Sequence, residues 1–158
     1  MSSPVYLAGT MTAATGWGVG WRRREQKWFA SHGEGTFSPP DRENELLVKY
    51  DIRPSDLRRY PYRLHSSTRK QLFGEIVKFD LEQIRYRTKY VVVYFTEYSP
   101  GTVSELTWAR MWGIPVYMVT KRKRLKPWTE SCVTKTFRTW EQLHSFLKVR
   151  YGLRRNKR

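Results

Sequence analysis

The run YVVVYF at residues 90–95 constrains the fold more than any other stretch. It is almost wholly apolar and rich in β-branched residues. A strand with one face in water alternates polar and apolar positions, and this one does not, so both its faces must be covered. Burial on both faces argues for a parallel sheet between layers of helices. The residues that follow agree. Ser99-Pro100-Gly101 makes a turn, residues 101–112 carry a helical pattern, and Gly113 ends it as a C′ residue. Ile114–Val119 then reads as another strand.

The rest of the chain repeats this alternation. Val5–Ala8 is a first strand that ends at Gly9. Thr10–Gly20 is a loop of small residues. A helix runs from about Trp21 to Ser31, with Trp21, Trp28 and Phe29 facing inward. His32–Pro40 is loop, with room for a short strand at Thr36–Phe37. Residues 41–67, with Pro54, Pro61 and many charges, predict loops and one or two short helical turns. Ser67 or Thr68 caps a helix to about Arg87, with Leu72, Phe73, Ile76, Val77, Phe79 and Ile84 as its apolar stripe. Cys132–Phe137 predicts a short strand. Thr139 caps a last helix to about Tyr151, with Trp140, Leu143, Phe146 and Leu147 inward. The expected fold is a single-domain α/β, Rossmann-like or flavodoxin-like parallel sheet flanked by helices over residues 1–150, with 151–158 a basic tail.

Charge divides unevenly. Residues 1–120 hold 17 Lys/Arg against 12 Asp/Glu, whereas residues 121–158 hold 13 against 2. The second stretch includes KRKRLK at 121–126, which follows a strand and so rims the carboxyl edge of the sheet. Such a region points to phosphate-bearing partners, nucleotide or nucleic acid, against the plainer reading of a solvated tail. A single cysteine, Cys132, rules out an intrachain disulfide and fits a reducing compartment. No apolar run reaches the roughly 20 residues of a membrane span, and the first residues lack a secretory pattern, so a cytoplasmic location without membrane contact is expected. His32, His65 and His144 have no metal-ligand spacing. No metal or organic cofactor is expected.

Three residues carry candidate chemistry. Glu105 sits near the start of the helix after the 90–95 strand. The carboxyl edge of an open α/β sheet is where ligands bind, and a helix N-terminus favours negative charge there. Two helix starts compete. With Thr102 as N-cap, Glu105 completes a capping box; with Ser99 as N-cap and Pro100 at N1, Glu105 has no capping duty. Asp80 falls in a helix stripe, four residues from both Ile76 and Ile84. A carboxyl at a buried edge keeps its proton more readily and can serve as an acid; at a solvated edge it does nothing. Tyr6, two residues before Ala8-Gly9, either fills the core or aims a neighbouring carboxylate. An ionised and a protonated carboxyl together suit glycosidic bond cleavage.

VYLAG at 5–9, FDLEQI at 79–84 and SPGTVSEL at 99–106 resemble the nucleoside 2-deoxyribosyltransferase superfamily, which includes the 2′-deoxynucleoside 5′-monophosphate N-glycosidases. The likeness covers roughly residues 4–120 and leaves out 33–67. It implies that Glu105 is the nucleophile at the anomeric carbon, that Asp80 protonates the leaving base, and that Tyr6 orients Glu105. It implies that Gly9, Thr10, Ser99, Gly101 and Thr102 bind the sugar and its 5′ substituent. Where the transferases carry an aspartate against the 5′-hydroxyl, this chain has Ser99, as the monophosphate glycosidases do; a carboxylate would repel a phosphate there. The resemblance also implies a homodimer or higher homo-oligomer, with Ser131 a candidate contribution from a second subunit. A phosphoribohydrolase or NAD-cleaving enzyme would share the Gly-Thr-x-x-Glu turn. The alternative from another class is a nucleic-acid-binding or scaffolding protein on the same fold without catalysis. Its motive is the basic region 121–158, with Trp128, Trp140 and Tyr151 interleaved.

Overall fold

A computed structural model of the protein describes residues 3–10, 18–53 and 64–156. Five strands form one sheet in the order β2-β1-β3-β4-β5, and every pairing is parallel. They are β1 (Val5–Gly9), β2 (Thr36–Phe37), β3 (Tyr90–Tyr94), β4 (Val116–Val119) and β5 (Lys135–Phe137). Between and after them lie α1 (Val19–Ser31), α2 (Pro39–Lys49), α3 (Ser66–Arg87), α4 (Pro100–Met111), α5 (Pro127–Cys132) and α6 (Trp140–Tyr151). The expected α/β fold is the observed one.

The period-2 geometry of each strand sends its side chains into two cores. Val5, Leu7, Tyr90, Val92, Tyr117 and Val119 meet Phe29 of α1 and Leu143 and Leu147 of α6. Tyr6, Ala8, Val91, Val93, Val116 and Met118 meet Ile84 of α3 and Leu106 and Ala109 of α4. The central strands therefore have no face for water, which is why their sequences do not alternate. Tyr6 belongs to the second core, and that fixes which helices can reach its hydroxyl.

Several elements differ from expectation. Residues 39–49 form a full helix, not short turns. Pro39 and Pro40 occupy its first turn, where no amide donor is needed. Leu46 and Leu47 bury with Ile52 and Leu72 in a third cluster, an apolar seam too narrow to stand out among the charges. Helix α3 begins after His65, and neither Ser67 nor Thr68 caps it. Its stripe is narrower than expected, since Phe73 and Val77 are 39% and 56% exposed. Residues 127–132 form α5, so the last strand starts at Lys135 and Cys132 is a buried helix residue. Beyond α6, Leu153 packs into the first core and the Asn156 amide donates to the Ser31 carbonyl at 2.9 Å. The start of the basic tail thus lies against α1.

Candidate active site

Helix α4 begins at Ser99, which settles the competition between caps. The Ser99 Oγ accepts from the Thr102 amide at 3.3 Å and donates to the Thr102 hydroxyl at 3.2 Å. Pro100 takes the first helical position. The capping box from Thr102 to Glu105 does not form. Glu105 is released from capping and projects from the second turn.

What it meets is Tyr6. The Tyr6 hydroxyl donates to Glu105 Oε1 at 2.8 Å, across 99 residues of sequence. Tyr6 has no exposed surface. Its ring stacks on Phe37 at 5.3 Å, and Phe37 packs against Phe79 at 5.8 Å. The phenol thus rests on β2, which α3 supports from behind through Phe79. Burial pushes its pKa well above the ordinary value, and the negative charges of Glu105 and Asp80 push it further; Arg22 opposes them weakly. Tyr6 therefore stays protonated and keeps a proton to donate to Glu105. Asp80 follows Phe79 on α3, is half-buried, and is close enough for its charge to act on the Tyr6 hydroxyl. Tyr6, Asp80 and Glu105 thus converge from β1, α3 and α4.

The predicted substrate-binding residues ring the carboxyl edge of β1 and β3, and Ser131 lies apart from them. Gly9 ends β1 with φ +152°, and a Cβ there would lie 2.8 Å from the Tyr94 carbonyl oxygen and 3.0 Å from Trp21. Only glycine fits. Thr10 is buried, and its hydroxyl donates to the Glu97 carbonyl at 3.4 Å, tying the loop after β1 to the loop after β3. Gly101 is exposed in the first turn of α4, and Thr102 is buried beneath it. Ser99 is half-buried at the helix N-terminus, where amide groups and the helix dipole favour an anion. Ser131 is exposed on α5, its hydroxyl bonded to the Trp128 carbonyl at 2.7 Å.

Arg22 is the residue that sequence reading missed. It stands in the run RRRE, which looks like a solvated face, yet it is only 1% exposed. Its guanidinium donates to the carbonyls of Leu7 at 3.3 Å, Gly18 at 3.2 Å and Gly9 at 2.8 Å. One buried side chain thus staples both ends of the loop that follows β1, the five donors of arginine being suited to several carbonyls at once. Phe37, which stacks on Tyr6, and Phe79, which supports Phe37, show in the sequence only as part of a short strand and of an apolar stripe. Among the described residues no group of three His, Cys, Asp or Glu side chains converges as a metal site. No helix among them is long and apolar enough to cross a membrane.

Neither a family model nor a curated protein sequence matches the chain. Among solved structures, its fold is similar to that of the 2-deoxyribosyltransferase from the psychrotolerant bacterium Bacillus psychrosaccharolyticus. The two superpose with a TM-score of 0.62 at 13% sequence identity, over 98% of this chain and 100% of the other. What they share is the fold.

Proposed function

We propose that this protein cleaves or exchanges the N-glycosidic bond of a nucleoside or, by preference, a (deoxy)ribonucleoside 5′-monophosphate. The observation that carries the reading is the hydrogen bond from buried Tyr6 to Glu105, with Asp80 beside it. A carboxylate held by a permanent donor is aimed, and a second carboxyl within reach supplies the proton. The fold neighbour, a 2-deoxyribosyltransferase, supports the same chemistry.

In the first step a Glu105 oxygen bonds to C1′ as the C1′–N bond breaks, through an oxocarbenium-like transition state, while Asp80 gives its proton to the leaving base. In the second, water or another base attacks C1′ from the vacated face. Asp80 takes the proton, and the bond from C1′ to Glu105 breaks. Two inversions give net retention. Gly9 and Thr10 border the sugar, while Ser99, Gly101 and Thr102 present the helix end to a 5′-phosphate. The step balances without a metal or organic cofactor.

We extend the proposal to a homodimer or higher homo-oligomer, whose interface would cover exposed apolar side chains such as Phe73 and Val77 on α3 and Trp108 and Met111 on α4. The direct test of the activity is a panel of nucleosides, 5′-monophosphates and NAD with chromatographic detection of free base. Release that survives Glu105→Ala would refute the role given to Glu105. Absence of release from every substrate would refute the reading itself.

A further inference from the structure

The loop after β4, Lys121–Lys126, carries five cations in six residues. All five are exposed, and none forms an ion pair with a carboxylate among the described residues. Solvated surface cations are usually interspersed with acids, which limits their mutual repulsion. Here the repulsion is left in place on an ordered loop. The Thr120 hydroxyl donates to the Phe95 carbonyl at 2.6 Å, and Arg122 Nε to the Thr96 carbonyl at 3.0 Å. Arg122 and Lys126 both lie over the ring of Tyr98, at 5.2 Å and 4.6 Å from its centroid. Tyr98 is the residue before Ser99. The basic loop is therefore fastened to the turn that starts α4, and an open cleft of about 350 Å³ lined by Tyr94, Phe95, Thr96, Lys121 and Arg122 lies along it.

The loop ends at Pro127 and then Trp128. That indole is 66% exposed, yet its Nε1 donates to the Thr107 hydroxyl at 3.0 Å. An exposed tryptophan held by a hydrogen bond is a fixed flat surface. A row of cations beside a fixed aromatic face is what single-stranded nucleic acid needs: charge for the phosphates and a plane for a base. A free polyphosphate would use the cations and leave the indole idle.

We propose that Lys121–Trp128 is a track for single-stranded nucleic acid, running along the sheet edge to the Ser99 turn. A nucleotide within a strand then becomes a further substrate beside the free 5′-monophosphate. The track itself stands on the geometry above, and its coupling to catalysis rests on the function proposed for Glu105.

Among the described residues the side chains of Lys123 and Arg124 form no hydrogen bond, ion pair or ring contact, so their charges can be reversed with little effect on the fold. The test uses the full chain and a fluorescent 12-nucleotide single strand, as DNA and as RNA, followed by anisotropy across a salt series. With about five phosphates engaged, the log–log salt slope is about −3.5, so raising salt from 50 to 200 mM weakens binding roughly 100-fold. Lys123→Glu with Arg124→Glu makes the slope shallower by about 1.4. Trp128→Ala costs roughly 5- to 150-fold in affinity at any salt. The double variant also slows base release from the strand while leaving release from free 5′-monophosphate unchanged. Binding that ignores salt, or is unaltered in both variants, overturns the track. So does displacement of the strand by inorganic triphosphate at equal phosphate concentration, because stacking would then contribute nothing. Strand binding as expected without base release from any substrate leaves the track standing and refutes the catalytic reading alone.

Discussion

Removing one oxygen tests the centre of the site most directly. Tyr6→Phe keeps the ring that stacks on Phe37 and deletes the hydroxyl that donates to Glu105 at 2.8 Å. A hydrogen bond to a charged partner contributes about 1.5–3 kcal/mol. If that bond aims the nucleophile, its loss raises the barrier by a similar amount, and kcat/KM falls roughly 10- to 150-fold. The substitution has a second signature. A donor to a carboxylate favours its charged form, so removing the donor makes Glu105 harder to ionise. The acid limb of the kcat/KM profile then moves to higher pH. Tyr6 itself, whose pKa burial and two neighbouring carboxylates hold far above the ordinary value, leaves no alkaline limb of its own. The assay is base release from the best substrate of the panel, followed from pH 4 to 9 alongside the thermal midpoint. A purely packing role for Tyr6 would lower the midpoint and leave the acid limb in place. A Tyr6→Phe variant within twofold of the parent, with the limb unmoved, would refute the claim that Tyr6 orients Glu105.

Other outcomes follow from the same geometry. Ser99→Ala loses the cap on α4 and costs about 1 kcal/mol, or roughly 2–4 °C in thermal midpoint for a domain of this size. Ser99→Asp keeps a capping oxygen and the midpoint but lowers cleavage of monophosphate relative to nucleoside; an unchanged ratio would sink the role given to Ser99. Gly9→Ala places a methyl 2.8 Å from the Tyr94 carbonyl oxygen at φ +152°, and calorimetry should report a loss of about 1–3 kcal/mol. The Tyr90 hydroxyl is buried without a hydrogen-bond partner among the described residues, so Tyr90→Phe should hold or raise the thermal midpoint, unlike most core substitutions. Tyr6 and Tyr90 both have raised folded-state pKa values, chiefly from burial, against an ordinary 10.0. Below pH 10 both folded and unfolded chains keep these protons; above it only the unfolded chain releases them. Stability then falls by about 1.4 kcal/mol per pH unit for each tyrosine. Denaturant titrations between pH 9 and 11 should show this slope, and Tyr90→Phe should reduce it.

The sequence determined the sheet. Strands buried on both faces have near-continuous apolar sequences, so β1, β3 and β4 were legible from short windows, and with them the parallel α/β fold. The same windows put Tyr6 on β1 and Glu105 near a helix start at the edge of the sheet where ligands bind, whereas Asp80 was legible only as a carboxylate within the stripe of α3. Tertiary structure decided what those residues do to each other. Whether Glu105 caps α4 or faces Tyr6 depended on which of two locally adequate caps, Ser99 or Thr102, held the helix start. The contact with Tyr6 spans 99 residues and leaves no trace in local pattern. Arg22 shows the limit most plainly. In sequence it belongs to a run of surface-like charge, and only the fold brings the carbonyls of Leu7, Gly9 and Gly18 around it. Helix α2 was hidden for a related reason, because Leu46 and Leu47 find their partner Leu72 on another helix. Periodicity reports how much of an element is buried. It cannot report which distant group completes a hydrogen bond, and the chemistry of this site depends on that.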